Sequence, residues 1–401
     1  MSPLAKKMVI AVSVVVLIYV SAGYVLGRSS DDKAFRALTA YSEVLEHIQR
    51  DYVDDPNLHQ VTAGALHGLL DSLDPQSGYM SPLEYQDYKD KSANEAKGAA
   101  GLTLTKRFGY IAVISALPDS PGAKAGLQMG DVIEKIAGFT TGQMAIDQAQ
   151  VLLTGQPGGI VKLSVIRRGK TEPQDVDVTL ARLAPSKIVE DKVEGDIAYL
   201  RIPEFDAGMA KEIRDELVQL DHQGLHKLIL DLRGSSSGDD KEGIATAQLF
   251  LSSGTITTLK GQTVSTVVSA ADPSKVVWKQ PVTVLIGNST AGPAEIVAGA
   301  IGGNHRGDTV GDRTYGVASV QKLIQLDDGS AIILTVANYY TPDNKQIPVD
   351  GVVPTEVVHP AMDDAAAAIV NVPAPSSSLS DPVVKRAVEI LQSGGSQRKA
   401  A

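Results

Sequence analysis

The segment Asp119-Ser120-Pro121-Gly122-Ala123-Lys124-Ala125-Gly126-Leu127, continued by Gln128-Met129-Gly130-Asp131-Val132-Ile133-Glu134-Lys135-Ile136, spells a short helix, a turn and a re-entering strand. Short β-rich runs separated by turns flank it, at 101–104, 110–114, 131–136, 160–167 and 174–180. A second helix is expected over 146–153. Two short helices on a small β-barrel are therefore expected within 98–184.

The chain around this segment has 401 residues, room for two or three domains. Apolar residues make up 43% and charged residues 21%, a globular composition. A net charge of −10 argues against a general nucleic-acid binder. With no cysteine there is no disulfide, thiolate zinc site or cysteine nucleophile, and seven histidines do not suggest a His-rich metal centre. No metal and no cofactor is expected. Lys6 and Lys7 precede an uncharged run from Met8 to Gly27, 20 residues closed by Arg28. At 1.5 Å per residue the run spans about 30 Å, the hydrocarbon thickness of a bilayer. The lysines predict a cytoplasmic tip at 1–7, a single-pass anchor at 8–27 in the inner membrane, and the bulk of the chain in the periplasm or outside the cell. Val20-Ser21-Ala22 also resembles the cleavage site of a signal peptide, the alternative for this run.

A helical region is expected over 31–95. Phe35, Leu38, Tyr41, Leu45 and Ile48 recur at three- and four-residue steps. A second helix covers 61–70 until Asp74-Pro75 breaks it, and Ser81-Pro82-Leu83-Glu84 reads as a capping box opening a third. Over 188–360 strand and helix alternate. Strands are expected at 197–202, 228–232, 282–286 and 332–337, with helices at 243–251, 294–301 and along the Met209, Ile213, Leu217, Leu220 face. That rhythm predicts an α/β core. The remainder, 361–401, reads as an Ala-, Pro- and Ser-rich linker and a short helix from Ser380-Asp381-Pro382 to Gln392. The fold class is a mixed α+β and α/β multidomain chain.

The segment at 119–136 is similar to the most recognisable part of bacterial PDZ domains. The blocks in this order resemble the carboxy-terminal processing (tail-specific) serine peptidase family. The resemblance is carried by Ser72-Leu73-Asp74-Pro75-Gln76-Ser77-Gly78-Tyr79, Leu230-Asp231-Leu232-Arg233-Gly234, Ala294-Glu295-Ile296-Val297-Ala298-Gly299-Ala300 and Val310-Gly311 to Gln321. Asp328-Gly329-Ser330, Tyr340-Thr341-Pro342 and Gly351-Val352-Val353-Pro354 add to it. It implies an exported serine endopeptidase with a helical region, a PDZ β-barrel and a ClpP/crotonase-like α/β core.

The family's chemistry needs a serine activated by a desolvated, neutral lysine, with backbone N–H groups stabilising the oxyanion. By the resemblance, the serine position is the middle of Thr290-Ala291-Gly292-Pro293-Ala294-Glu295, and it holds Gly292. The lysine position in Tyr315-Gly316-Val317-Ala318-Ser319-Val320-Gln321 holds Val317, with the helper Gln321 retained. The family's oxyanion turn corresponds to Asp231 through Gly238, where Ser237 replaces the first glycine of a pair and Gly238 is kept. A serine at 237 is expected to resist backbone angles open to glycine.

Other groups could be proposed for the missing chemistry: Ser289, Thr290 or Ser319 as nucleophile, with Lys322 or His305 as base. Ser289 and Thr290 also read as turn and cap groups, and Lys322 as an outward-pointing strand residue. Ser235, Ser236 and Ser237 read as a flexible polar turn, and Glu295 as a helix-dipole partner. His222 and His226 are four apart but separated by Gly224, a solvated loop; Asn304, His305 and Arg306 form a surface turn. The expected function is a membrane-anchored, inert family member that binds C-terminal tails or unfolded polypeptide through its PDZ domain. The alternatives are an active endopeptidase with a non-standard nucleophile and a scaffold for an active paralogue or a homo-oligomer. For the tail, the resemblance implies the loop and strand of Ala100, Gly101, Leu102, Thr103 and Leu104, with Leu102 and Leu104 lining an apolar groove with Ile146, Ala149 and Leu152.

Overall fold

The computed structural model describes residues 36–93, 98–167, 169–359 and 378–394. The expected anchor at 8–27, the alternative cleavage site at 20–22 and the linker over 361–377 lie outside the described residues. Among the described residues no helix is long and apolar enough to cross a membrane. The chain divides into two units, Met1–Ala65 and Leu66–Ala401.

In the first unit a helix, α1, covers 36–51, with Leu45 and Ile48 half-buried and Leu38 and Tyr41 exposed. A second helix, α2 (Leu58–Asp71), starts three residues before the expected position because Asn57 Oδ1 accepts the Gln60 N–H at 3.2 Å and opens it there. In the second unit, Asp74 builds the turn that follows α2. Its Oδ1 accepts the N–H groups of Gln76 and Ser77, both at 2.8 Å, and the hydroxyl of Thr335 at 3.0 Å. That turn feeds β1 (Gly78–Met80). The capping box then opens α3 (Pro82–Ala93): Ser81 donates its N–H to Glu84 Oε2 at 2.7 Å, and Glu84 donates back to Ser81 Oγ at 3.4 Å.

The barrel is built from β2 (Gly98–Ala99), β3 (Leu102–Arg107), β4 (Tyr110–Ala116), α4 (Pro121–Lys124), β5 (Val132–Ile136), β6 (Phe139–Thr140), α5 (Ile146–Leu152), β7 (Thr154–Gly155), β8 (Ile160–Ile166) and β9 (Gln174–Thr179). Its main sheet runs β3-β4-β5-β8-β9. Ser120 caps α4 by accepting the Ala123 N–H, and Pro121 presets the first helical turn. Gly122 passes so close to β3 that an added Cβ would lie 2.5 Å from Leu102 Cδ2.

The α/β core follows as β10 (Val189–Glu194), β11 (Ile197–Arg201), α6 (Met209–His222), β12 (Lys227–Asp231), α7 (Asp240–Gln248), β13 (Thr255–Lys260), β14 (Val267–Ala270), β15 (Val282–Ile286), α8 (Pro293–Gly303), β16 (Asp308–Gly311), β17 (Ser319–Gln325), β18 (Ala331–Tyr340), β19 (Glu356–Val357) and α9 (Pro382–Gln392). One sheet has the order β10-β11-β12-β15-β16-β19, parallel from β11 to β19. Alternate residues of β11 serve its two faces. Ala198 and Leu200 pack with Met209, Ile213, Leu217 and Leu220 of α6, whereas Ile197 and Tyr199 pack with Val383, Val384 and Val388 of α9. A second, antiparallel sheet, β1-β18-β13-β14 with β17 on β18, leans on α7 and α8. Helix α7 lies three residues earlier than the expected 243–251, because Asp239 caps it by accepting the Lys241 N–H at 2.8 Å.

Candidate functional site

Three loops meet at the carboxyl ends of the parallel strands, where open α/β sheets place their sites. The turn after β12 and the turn after β15 are stitched together. Ala291 donates its N–H to Ser235 O at 2.9 Å, Gly234 donates to Ser289 Oγ at 3.1 Å, and Thr290 Oγ1 donates to Leu232 O at 2.9 Å. The loop after β16 joins them when Tyr315 donates its N–H to Thr290 O at 2.9 Å.

Glu295 of α8 organises the centre. It is fully buried, and its Oε1 accepts the Thr314 hydroxyl and the Gly316 N–H. Its Oε2 accepts the N–H groups of Gly292 at 3.0 Å, Val317 at 2.9 Å and Ala318 at 3.2 Å. Burial nevertheless raises its pKa above the ordinary carboxylate value. Gly292 and Val317, 25 positions apart in sequence, thus converge on one oxygen. The expectation of a helix-dipole role for Glu295 misses this clamp, which depends on a loop 19 to 23 residues downstream.

Gly292 starts α8 with φ +58° and ψ −124°. A strand, a sharp left-handed turn and a helix make the arrangement that lifts a side chain clear of a sheet's carboxyl edge. Space exists for one: an added Cβ would meet only Ser236 O, at 3.8 Å. Val317 is half-buried. Ser319 Oγ donates to Val317 O at 3.0 Å and accepts from Gln321 Nε2 at 2.8 Å, so Gln321 lies exposed on β17 and reaches back toward 317.

The turn at 235–238 differs from its expected flexibility. Ser235 is fully buried, with its Oγ unpartnered. Ser236 Oγ bonds Ser115 Oγ of β4 and donates to Thr103 Oγ1 of β3 at 2.9 Å, so the turn is a docking point for the barrel. Ser237 needs no left-handed angle, contrary to expectation. Gly238, at φ +122°, is the position only glycine can hold, since a Cβ would lie 2.3 Å from Phe205 O. Ser237 Oγ donates to Glu204 at 3.2 Å; burial, with the neighbouring Asp206, raises the pKa of Glu204. Beneath the turn, Asp231 is fully buried. Burial opposes its charge, yet the Arg233 guanidinium at 2.7 Å holds its pKa below the usual range, and Arg233 also reaches Asp381 at 2.7 Å.

Among the described residues no hydrogen bond joins Ser289, Thr290 or Ser319 to Lys322 or His305. Ser289 and Thr290 are occupied by the turn bonds above, Lys322 is exposed on β17, and His305 sits in a surface turn at φ +54°. His222 ends α6 while His226 lies past the Gly224 turn, so they share no helix face. Sequence reasoning missed Asp240. At the start of α7, and bonded to the Tyr339 hydroxyl, it is pushed up to about 6 by burial. Its adjacency to Asp239 was the available signal.

At the barrel, the expected tail-binding residues lie where loop and strand β3 meet α4 and α5. Ala100 is buried, donates its N–H to Leu153 O at 3.0 Å and accepts from Gly122 at 2.7 Å. Gly101 takes φ +71°. Leu102, Leu104 and Ala149 are buried in the barrel core with Ile111, Ile133 and Leu163, and Ile146 and Leu152 pack half-buried against them. Thr103 faces Ser236.

Comparison with known proteins adds the lineage. Residues 196–358 match the profile described as peptidase family S41, and 113–167 match that of the PDZ domain. The chain is 31% identical over 335 residues to a carboxy-terminal-processing protease of Bartonella bacilliformis, covering 82% of this chain and 77% of that one. It is 29% identical over 334 residues to the carboxy-terminal processing protease CtpA of Bacillus subtilis, covering 82% and 71%. The solved structure of a photosystem II D1 C-terminal processing protease superposes with a TM-score of 0.66 at 22% identity, covering 83% of this chain and 91% of that one.

Proposed function

Because the chain belongs to the S41 family of carboxy-terminal processing peptidases and carries a PDZ domain, we propose that it is a proteolytically inert member that holds protein C-terminal tails without cutting them. The observation that carries this reading is the convergence of Gly292 and Val317 on one carboxylate oxygen. It supports their assignment as the nucleophile and base positions, and neither side chain can attack a carbonyl or accept a proton. Ser289, Thr290 and Ser319 are engaged in turn bonds, and among the described residues none of them is hydrogen-bonded to Lys322 or His305. The PDZ domain supplies tail binding by strand addition. The anchor at 8–27 holds the chain on the outer side of the cytoplasmic membrane, as an adaptor or regulator of a tailed client.

The test is incubation of the purified full chain with a tailed model substrate and, separately, with a fluorophosphonate label. No turnover and no labelling are expected. Turnover that disappears on Ser289→Ala, Thr290→Ala or Ser319→Ala would overturn the inert reading in favour of a non-standard nucleophile.

A further inference from the structure

An added peptide strand needs a free strand edge with open backbone acceptors. Among the described residues, β3 has one ladder partner, β4, so its other edge is available in principle. That edge is not vacant. Gln150 Nε2 of α5 donates to Leu102 O at 3.2 Å. Leu102 opens β3 directly after left-handed Gly101, where a captured tail would begin its ladder.

Helical spacing explains why Gln150 reaches the strand. Ala149 is turned into the barrel core, fully buried, while Gln150 is half-buried, one turn beyond half-buried Ile146 on the same face. A glutamine amide carries the same donor chemistry as a peptide N–H. Its hydrogen bond to Leu102 O therefore occupies the acceptor that an incoming strand requires.

Resting on the tail-binding reading above, we propose that Gln150 is an affinity-setting latch: its side-chain amide stands in for a ligand's backbone N–H and must leave before a C-terminal tail can pair with β3. The occupant is an extended peptide with a free carboxylate. Binding exchanges one hydrogen bond for another at Leu102, so tails are held weakly and reversibly. Removing the amide leaves the acceptor open and lowers the cost of entry.

The experiment titrates the full chain, Gln150→Ala and Gln150→Met with a short labelled peptide ending in Leu-Val, free and amidated. Methionine keeps the side-chain length and removes the donor. A typical net hydrogen bond corresponds to a tightening of about 2- to 10-fold for the free peptide in both variants. Unchanged or weaker binding by the variants, with the wild type binding, overturns the latch and leaves the tail-binding reading standing. Tightening by Gln150→Ala alone also overturns it, because bulk rather than the hydrogen bond would then be responsible. No binding by any of the three proteins, or equal affinity for the amidated peptide, overturns tail capture itself and the latch with it.

Discussion

Position 292 sets backbone strain against chemistry. At φ +58° a side chain is disfavoured, by about 1–3 kcal/mol for residues held in such regions, while the space around an added Cβ is open. Gly292→Ser should therefore fold, melt at a lower temperature and remain inactive, since it has no base. Combined with Val317→Lys it should turn over a tailed substrate measurably. A folded but dead double variant would argue against the two assigned positions. Because Ser237 stands at an ordinary angle, adding Ser237→Gly should change that rate little. Asp240 supports a second test at this scale. Its pKa, raised to about 6 by burial, exceeds that of an unfolded aspartate, so the unfolded chain loses this proton first as pH rises from about 4. Its contribution to stability is fully present below that pH, falls up to pH 6 and stays unfavourable above it. Asp240→Asn should raise the melting temperature at pH 7 to 8 and leave it unchanged below pH 4, read by thermal unfolding across pH. Glu295 was legible only as a helix-dipole partner, and Asp240 not at all. Burial and a distant loop give them their roles, and a single sequence carries neither.

Elements with a strong period were legible, and those without one were not. Met209, Ile213, Leu217 and Leu220 marked the buried face of α6, and the apolar run at 282–286 marked β15 with both ends right. β17 was legible only at Lys322 and without its bounds, because its residues are mostly exposed and mixed in polarity, and β14 escaped notice because it is an exposed edge of four residues. The last helix was legible as a helix but not in its task. α9 covers the second face of the parallel sheet, burying Tyr199, Leu285 and Val310 under Val384, Val388 and Leu391, while Asp381 at its cap ties to Arg233 below the site. Removing a buried leucine here leaves a cavity against a β-sheet that cannot collapse easily. Leu391→Ala should cost about 2–5 kcal/mol in denaturant unfolding. A loss well under 1 kcal/mol would mean that α9 is not the cover of that face.

For the molecule as a whole, the proposed tail-binding function raises the question of where the chain is held. The PDZ domain was legible because the helix, turn and strand of 119–136 carry its pattern, and those residues fall within the matched 113–167. The docking of the barrel on the core was not, because it rests on hydroxyls as plain as those of Thr103, Ser115 and Ser236. The anchor can be argued from the uncharged run of 20 residues from Met8 to Gly27. A signal peptide has an apolar stretch of about 7–15 residues that ends at its small-residue cleavage site. Here the apolar pattern passes Val20-Ser21-Ala22 and continues through Tyr24, Val25 and Leu26 before Arg28 stops it. Twenty uncharged residues at 1.5 Å each fit the hydrocarbon layer, and Lys6 and Lys7 favour the cytoplasmic side for the amino terminus. The full chain should therefore stay in the membrane fraction after alkaline carbonate and high salt, retain an amino terminus ahead of Lys6, and be digested by external protease in spheroplasts. A version beginning at Ser29 behind a cleavable export signal should be released with the soluble periplasmic proteins. A mature protein beginning after Ala22 and released by osmotic shock would overturn the anchor, and with it the picture of a receptor fixed beside the membrane.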